Sequence, residues 1–393
     1  MTGTRTGTRT ASLRRAASPV LAASLATVLA VFLTVPATGC RGSACCAIAG
    51  AALGAGADMT ERLLVVDTDA GADDAMALLV LLGAEAEQPG GVEGTRVRVL
   101  AVTCAQGNTG LRNVTRNVLA TLRTAGRADV PVFGGAAQSL LVTPPTDHHF
   151  GEDGLGDFLP ANDSYSSVQV EHAAVALVRL ARRYPGRISL VCLGPMTNVA
   201  LASRLDPEFL DNLRDVFVLG GSSMGVGNTK AATEFNVYMD AEAFEAVLRS
   251  VPKPVFLLPW ETVTATNFSQ EWRRDRLGAL ATPQMEFLNL AERRTRSGKR
   301  YNPADAMLAL FVLRPDLITE RTTTNVQVVL GDGFARAATL VDYVGRSGKA
   351  ANAVLLQRAD RALAECLLLE LLSAPVSVSS RADKAHKAVA GED

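Results

Sequence analysis

Apolar residues in this chain fall into short continuous runs, each trailed by a stretch in which they recur at helical spacing. Leu63–Asp67 is the first such run, and Asp73–Gly83 is the helix predicted behind it. Val97–Thr103 and Leu111–Ala125 repeat the pairing. A short strand is predicted over Val130–Phe133, a helix over Val168–Arg183, a strand over Ile188–Leu193 and a helix over Asn198–Ser203. Val216–Leu219, Ala241–Ser250 and Val255–Leu258 continue the alternation as strand, helix and strand. Runs that are apolar at every position suit strands buried on both faces. Strand–helix alternation builds a mostly parallel central sheet with helices on both sides, so the fold class is α/β. Ligands are then expected at the C-terminal ends of the strands. From about Glu271 to Arg300 the chain turns polar and reads as helical. Asn325–Leu330 and Arg336–Val344 read as strands joined at Gly331-Asp332-Gly333, a hairpin signal. A last apolar helix covers about Asp360–Leu372. No internal repeat and no strong linker interrupts residues 60–373, which predicts one domain.

The two ends differ from this body. Arg14 and Arg15 precede an apolar stretch from about Ala16 to Ala37, followed by Thr38 and Gly39. A charged start, an apolar middle and a small-residue exit are the marks of a secretory signal. The stretch approaches the roughly 20 residues that span a bilayer. Ser18, Pro19, Ser24, Thr27 and Pro36 interrupt it, so a retained anchor and a lipid-modified Cys40 are the alternatives. The organisation expected is a signal over residues 1–39, an Ala/Gly-rich spacer over 40–60, one domain over 61–373 and a disordered tail over 374–393. Asn113, Asn162 and Asn267 each head an N-x-S/T sequon, consistent with a secreted glycoprotein. Cys104, Cys192 and Cys366 are too few for a disulfide framework, and the first two fall in apolar strands as buried thiols.

Composition narrows the partners. Hydrophobic residues are 48% of the chain and charged residues 20%, enough for a substantial core. A net charge of −1 excludes a general nucleic-acid binder, whose affinity rests on neutralising phosphates. Aromatic residues at 5% are too sparse for a base-stacking platform.

The chemistry concentrates in Asp67-Thr68-Asp69-Ala70-Gly71-Ala72-Asp73-Asp74, straight after the first strand. Like charges this close either raise carboxyl pKa values or call for a cation. Oxygen-rich clusters suit hard cations such as Ca²⁺ or Mg²⁺. An EF-hand loop starting at Asp67 fails, because its twelfth position is Leu78. No phosphate-cradling Gly-Lys loop is present. An acidic helix start would account for Asp73 and Asp74 through the helix dipole, but not for Asp67 and Asp69.

Further motifs follow in order: Gly107-Asn108 after the second strand, Leu193-Gly194-Pro195-Met196-Thr197-Asn198 after a later one, Gly227-Asn228 ahead of Glu234-Phe235-Asn236, and Asp305 opening an Ala/Leu-rich helix. With the aspartate cluster they resemble the nucleoside hydrolase family, over roughly residues 62–345. The resemblance implies Ca²⁺ held by Asp69, Asp74 and Asp305 and by the backbone carbonyl of Leu193, with a water as nucleophile and Asp69 as the base. It implies ribose contacts from Asp73, Asn108, Asn228, Glu234 and Asn236, with Asp67 supporting the cluster from behind. His149 and Trp260 are the candidates facing the base. The substrate implied is a small ribonucleoside, purines such as inosine favoured, cleaved to free base and ribose through an oxocarbenium-like state. A homo-oligomer is implied too, with membrane association only if the N-terminal segment is retained. Asn198 also reads as a helix cap, Tyr238 as packing, and Gly134-Gly135 and Gly220-Gly221 as turns.

Three departures concern the leaving base. Ala304 stands where many relatives place His or Trp before the last metal aspartate. Gln106 replaces a His before Gly-Asn. Phe150 replaces a His before Gly151, with His148 and His149 just upstream. The leaving-group acid is therefore unassigned, and two alternatives stand: a catalytically weak nucleoside-binding protein, or a hydrolase of another N-riboside such as nicotinamide riboside.

Overall fold

A computed structural model describes residues 61–86, 96–160, 168–295 and 298–373. The predicted signal, spacer and tail lie outside the described residues, as do Cys40 and Asn162. β1 (Glu61–Thr68) runs parallel to both β2 (Arg96–Cys104) and β4 (Ile188–Cys192). β3 (Val132–Gly134) extends the sheet beyond β2, while β5 (Asp215–Leu219) and β6 (Val255–Leu258) extend it beyond β4. Strand Ala353–Ala359 adds in parallel to β6, and Ile318–Thr324 closes that edge in antiparallel. The order of the first six strands is thus β3-β2-β1-β4-β5-β6. Successive strands add outward in one direction from β1 and in the other from β4. The crevice at such a reversal is where open α/β sheets bind ligands.

β1 shows why the sheet must be covered twice. Leu64 and Val66 face one core, with helices Ala72–Ala86, Leu111–Thr124, Ala304–Leu313 and Arg361–Ser373. Leu63 and Val65 face the other, with helices Ala173–Arg183, Thr197–Leu205 and Ala241–Ser250. All four residues are at most 2% exposed, so each face loses apolar surface to water at about 25 cal/mol per Å². Cys104 and Cys192 are buried free thiols. Among the described residues no helix is long and apolar enough to cross a membrane.

Four predicted elements are revised. The helix expected from Val168 starts at Ala173, because Gln169 bridges to Phe133 at the sheet edge and His172 Nδ1 accepts the Ala174 N–H as the cap. The polar stretch after Glu271 is broken into Gln270–Trp272, a π-helical turn Arg273–Leu277 and helix Pro283–Ala291. The hairpin forms, but its paired strands shrink to Val326–Val328 and Thr339–Val341. Ile318–Thr324 and Ala353–Ala359 were not foreseen as strands. The first is a largely exposed edge with Thr, Glu and Arg, so no apolar run marks it.

Candidate active site

The strand ends build the site. β1 ends in Asp67-Thr68, and the chain turns through Ala70, whose φ of 39° lies in the left-handed region that non-glycine residues avoid. That turn is held from both sides: Thr68 Oγ1 accepts the Ala70 N–H at 3.1 Å, and Ala70 O accepts from Asn117 Nδ2 at 3.0 Å. Asp74 then reaches back to cap its own helix. Its Oδ2 accepts the Gly71 N–H at 2.8 Å, and its Oδ1 accepts from Thr68 Oγ1 at 2.5 Å.

Asp69 sits in a cradle of glycines. Its Oδ2 accepts the Asn108 N–H at 2.8 Å. A Cβ on Gly107 would lie 2.0 Å from that Oδ2, and one on Gly194 would lie 2.8 Å from Oδ1. Only glycine permits backbone this close to the carboxylate on both sides. Asp67 lies behind, taking Thr103 Oγ1 at 2.5 Å and Asn198 Nδ2 at 2.8 Å. Asn198 is therefore not a helix cap. It sits inside helix Thr197–Leu205, also donates to Cys104 O at 3.0 Å, and accepts the Ala136 N–H at 2.9 Å.

Asp305, from the first turn of helix Ala304–Leu313, completes the cluster from the far end of the chain. Oxygens of Asp73, Asp74 and Asp305 come within 4.8 Å of one another. Asp74 also contacts Asp69. Geometry thus draws Asp73 into the closest group, while Asp69 is turned toward Asn108. Asp69, Asp74 and Asp305 are at most 2% exposed. Burial, reinforced by the neighbouring carboxylates, raises the Asp69 and Asp305 carboxyls well above the usual range and takes Asp73 from 3.8 to about 8. Burial lifts Asp67 to about 6. Asp73 Oδ1 and Asp305 Oδ1 are buried with no hydrogen-bond partner. Clustered, desolvated carboxylate oxygens without donors suit a divalent cation with oxygen ligands.

A cavity of ≈ 360 Å³ opens from this cluster. Asp69, Asp73, Asp305, Asn108, Leu193, Asn228, Glu234, Asn236, His149 and Trp260 all line it. Two of the expected sugar contacts also hold the fold. Glu234 caps helix Phe235–Met239 and takes the Gly221 N–H at 3.0 Å; burial raises it to about 7 against those backbone bonds. Asn236 Nδ2 donates to Leu193 O at 2.6 Å and Leu219 O at 3.2 Å, tying the ends of β4 and β5 together. The Leu193 carbonyl keeps its second lone pair. Asn108 Nδ2 reaches Asp74 Oδ2 at 3.3 Å. Asn228 is exposed at the rim, and His149 is exposed with its ring edge-on to Phe150 at 4.8 Å.

Beside Ala304 the wall is made by residues not foreseen from sequence. Tyr301 and Glu292 line the cavity, and Tyr301 Oη donates to Glu292 Oε1 at 2.7 Å. Arg273, from the π-helical turn, donates through Nε to Glu292 Oε2 at 2.6 Å and through Nη1 to Asn289 Oδ1 at 2.9 Å. Arg273 is 1% exposed and Glu292 3%. Burial, with Glu292 beside it, pushes the Tyr301 phenol well above its usual range. In sequence, Arg273 and Glu292 were hidden in a segment that read only as polar and helical.

Comparison with known proteins places this architecture. A family model described as inosine-uridine preferring nucleoside hydrolase matches residues 64–364. A protein of Oryza sativa subsp. japonica named probable uridine nucleosidase 1 is 39% identical over 190 residues, 48% of this chain and 55% of that protein. The match therefore spans about half the length of this relative. The pyrimidine-specific ribonucleoside hydrolase RihA of Shewanella woodyi is 30% identical over 316 residues, 77% of this chain and 95% of that one. A solved structure described as Inosine-Guanosine Nucleoside Hydrolase (IG-NH) superposes with a TM-score of 0.71 at 28% identity, covering 79% of this chain and 98% of that one.

Proposed function

Because the chain belongs to the inosine-uridine preferring nucleoside hydrolase family, we propose that it hydrolyses the N-glycosidic bond of ribonucleosides to free base and ribose. The observation that carries this reading is the junction of the buried carboxylates, three of them with partnerless oxygens, and a polar-walled cavity of nucleoside scale. Asp73, Asp74 and Asp305, with Asp69 beside them, would hold a divalent cation, and Ca²⁺ is the ion we propose. Once bound, it would offset the repulsion among the carboxylates and acidify water at the site.

The chain's own groups have distinct tasks. Asp69 Oδ2 is engaged by the Asn108 N–H, leaving Oδ1 to receive a proton from the attacking water. In the metal-free protein, burial and adjacent anions raise the affinity of Asp69 for a proton. Asp73 and Asn108 would take ribose hydroxyls, and the carboxylates together would favour positive charge developing at C1′. Asn228, at the rim, is placed for the opposite side of the sugar. Ala304 can neither donate a proton nor stack, so His149 and Trp260 are the proposed contacts of the base.

Purine nucleosides such as inosine are the proposed preference, supported by the general resemblance and by the name of the inosine–guanosine relative. The uridine and pyrimidine names of other relatives make uridine the comparison substrate. Reducing-sugar release from inosine, adenosine, guanosine, uridine and nicotinamide riboside, with Ca²⁺ and with chelator, tests the reading. Release from at least one ribonucleoside is expected; none in the presence of Ca²⁺ would refute it. The second reading, motivated by Ala304, is a binding protein, and tight calorimetric binding without turnover would favour it. Secretion through the segment over residues 1–39 is proposed as well, and N-terminal sequencing of the mature protein tests it.

A further inference from the structure

Glu261 follows Trp260 after β6 and is 5% exposed. It does not line the cavity, yet both of its oxygens converge on the segment that leads from β5 to Asn228. Oε1 accepts from Ser222 Oγ at 2.7 Å, the Met224 N–H at 2.8 Å and the Val226 N–H at 3.0 Å. Oε2 accepts from Ser223 N–H at 2.8 Å and Ser223 Oγ at 3.2 Å. Successive backbone N–H groups turned inward onto one anion form a nest. Burial raises the carboxyl, but these bonds outweigh it and hold the group below its usual range.

Beyond Glu261, the outer half of the segment is tied at its far end only, where Thr233 O accepts the Asn228 N–H at 3.2 Å. Met224 and Val226 point outward, 73% and 51% exposed. The inner half is better tied: the Ser222 N–H donates to Thr339 Oγ1 at 2.7 Å, and Tyr343 Oη donates to Ser223 O at 3.0 Å. The Trp260 N–H donates to Gly221 O at 3.0 Å. One residue of the pair 260–261 therefore walls the cavity while the next grips the segment that delivers Asn228 and Thr229 to the same cavity.

We propose that Glu261 is a positioning residue, whose carboxylate sets the Gly221–Asn228 segment and thereby fixes the Asn228 wall of the substrate site against the Trp260 wall. The inference rests on the nucleoside reading only for what occupies the cavity.

The test is Glu261→Gln in the full chain, which puts an amide N–H₂ among donors that need an acceptor. Peptides spanning 221–228 are expected to exchange amide hydrogens faster than in the wild type, with those of β1 and β2 unchanged. With inosine, KM is expected to rise about tenfold while kcat changes less than about threefold, the pattern of lost positioning in binding. Glu245→Gln is the control. Glu245 is an equally buried carboxylate that accepts the Val328 N–H at 2.7 Å away from this cavity. It should lower thermal stability without moving KM. If Glu261→Gln fails to fold, the Ser222→Ala/Ser223→Ala protein removes two of the five donors and gives the same two readouts. Wild-type exchange over 221–228 in these variants, or an unchanged KM, overturns the proposal. Exchange needs no substrate, so a wild type inactive on every nucleoside would sink the nucleoside reading and leave the clamp separately decided.

Discussion

Asp305→Asn should stabilise the metal-free protein while destroying its ability to gain stability from a cation. Asp305 is 2% exposed, with Oδ1 unpartnered and oxygens of Asp73 and Asp74 within 4.8 Å. At an effective dielectric of about 20, two full charges at that separation repel by about 3.5 kcal/mol. The groups shed part of this by keeping protons, at about 1.4 kcal/mol per pKa unit, so about 2 kcal/mol of relief is expected at alkaline pH. For a domain of this size that is a rise in Tm of about 3 °C. The pH dependence has a definite sign. The Asp73 carboxyl is raised from 3.8 to about 8, so the folded chain holds that proton more tightly than the unfolded chain. The stability this contributes is complete below about pH 4 and is lost as pH rises through about 8. Thermal unfolding with chelator should therefore show the variant's advantage near pH 8.5 and little of it near pH 5. Saturating Ca²⁺ at about 100 Kd should add about 2.7 kcal/mol to the wild type and far less to the variant. A lower Tm for Asp305→Asn at alkaline pH, or equal Ca²⁺ stabilisation of both proteins, would refute the reasoning.

Asp69→Asn should keep its circular dichroism spectrum and lose kcat by about 100-fold or more, measured by reducing-sugar release, because the proton acceptor is gone. Arg273→Met leaves Glu292 buried beside Tyr301 without its cation, and urea unfolding should register a loss of about 3–5 kcal/mol. Asn198→Ala leaves Asp67 Oδ1 with Thr103 alone and takes a side-chain partner from Cys104 O and the Ala136 N–H at once; about 2–4 kcal/mol of destabilisation is expected in thermal unfolding.

Legibility in the sequence followed the strength of each local signal. β4, β5 and β6 are apolar at nearly every position, β1 and β2 carry an apolar run inside polar ends, and each was predicted to within two residues. Ile318–Thr324 escaped because an edge strand exposed to water needs no apolar run. The acidic cluster was visible as a spacing anomaly, and Asp305 through the ordered family motifs. The supports of the cluster were not. Thr103, Gly107 and Gly194 act on it only after the ends of β1, β2 and β4 have been brought side by side. Asn198 looked like a cap because Asn commonly is one; its side chain instead bridges three neighbouring strand ends. Glu292 and Arg273 did not stand out, because charge in a polar segment gives no hint of a buried pair.

The two ends of the cavity are built on opposite principles. At the cluster end, neutral donors such as Thr68, Thr103 and the Gly71 and Asn108 N–H groups satisfy some carboxylate oxygens, while Asp73 Oδ1 and Asp305 Oδ1 are left without donors. That arrangement costs stability in the metal-free protein, which is the usual trade at a site arranged for chemistry. At the other end, Arg273, Glu292 and Tyr301 form a charge-balanced network that turns its polar atoms on itself. A network so satisfied lends shape to the cavity and holds its hydroxyl proton tightly, since the Tyr301 phenol is pushed above its usual range. Under the proposed function, with Ala304 beside it, this wall would favour recognition of the base over its protonation. Under the proposed reaction, the force for breaking the bond then comes chiefly from the sugar side, where anionic oxygens face the charge that develops at C1′.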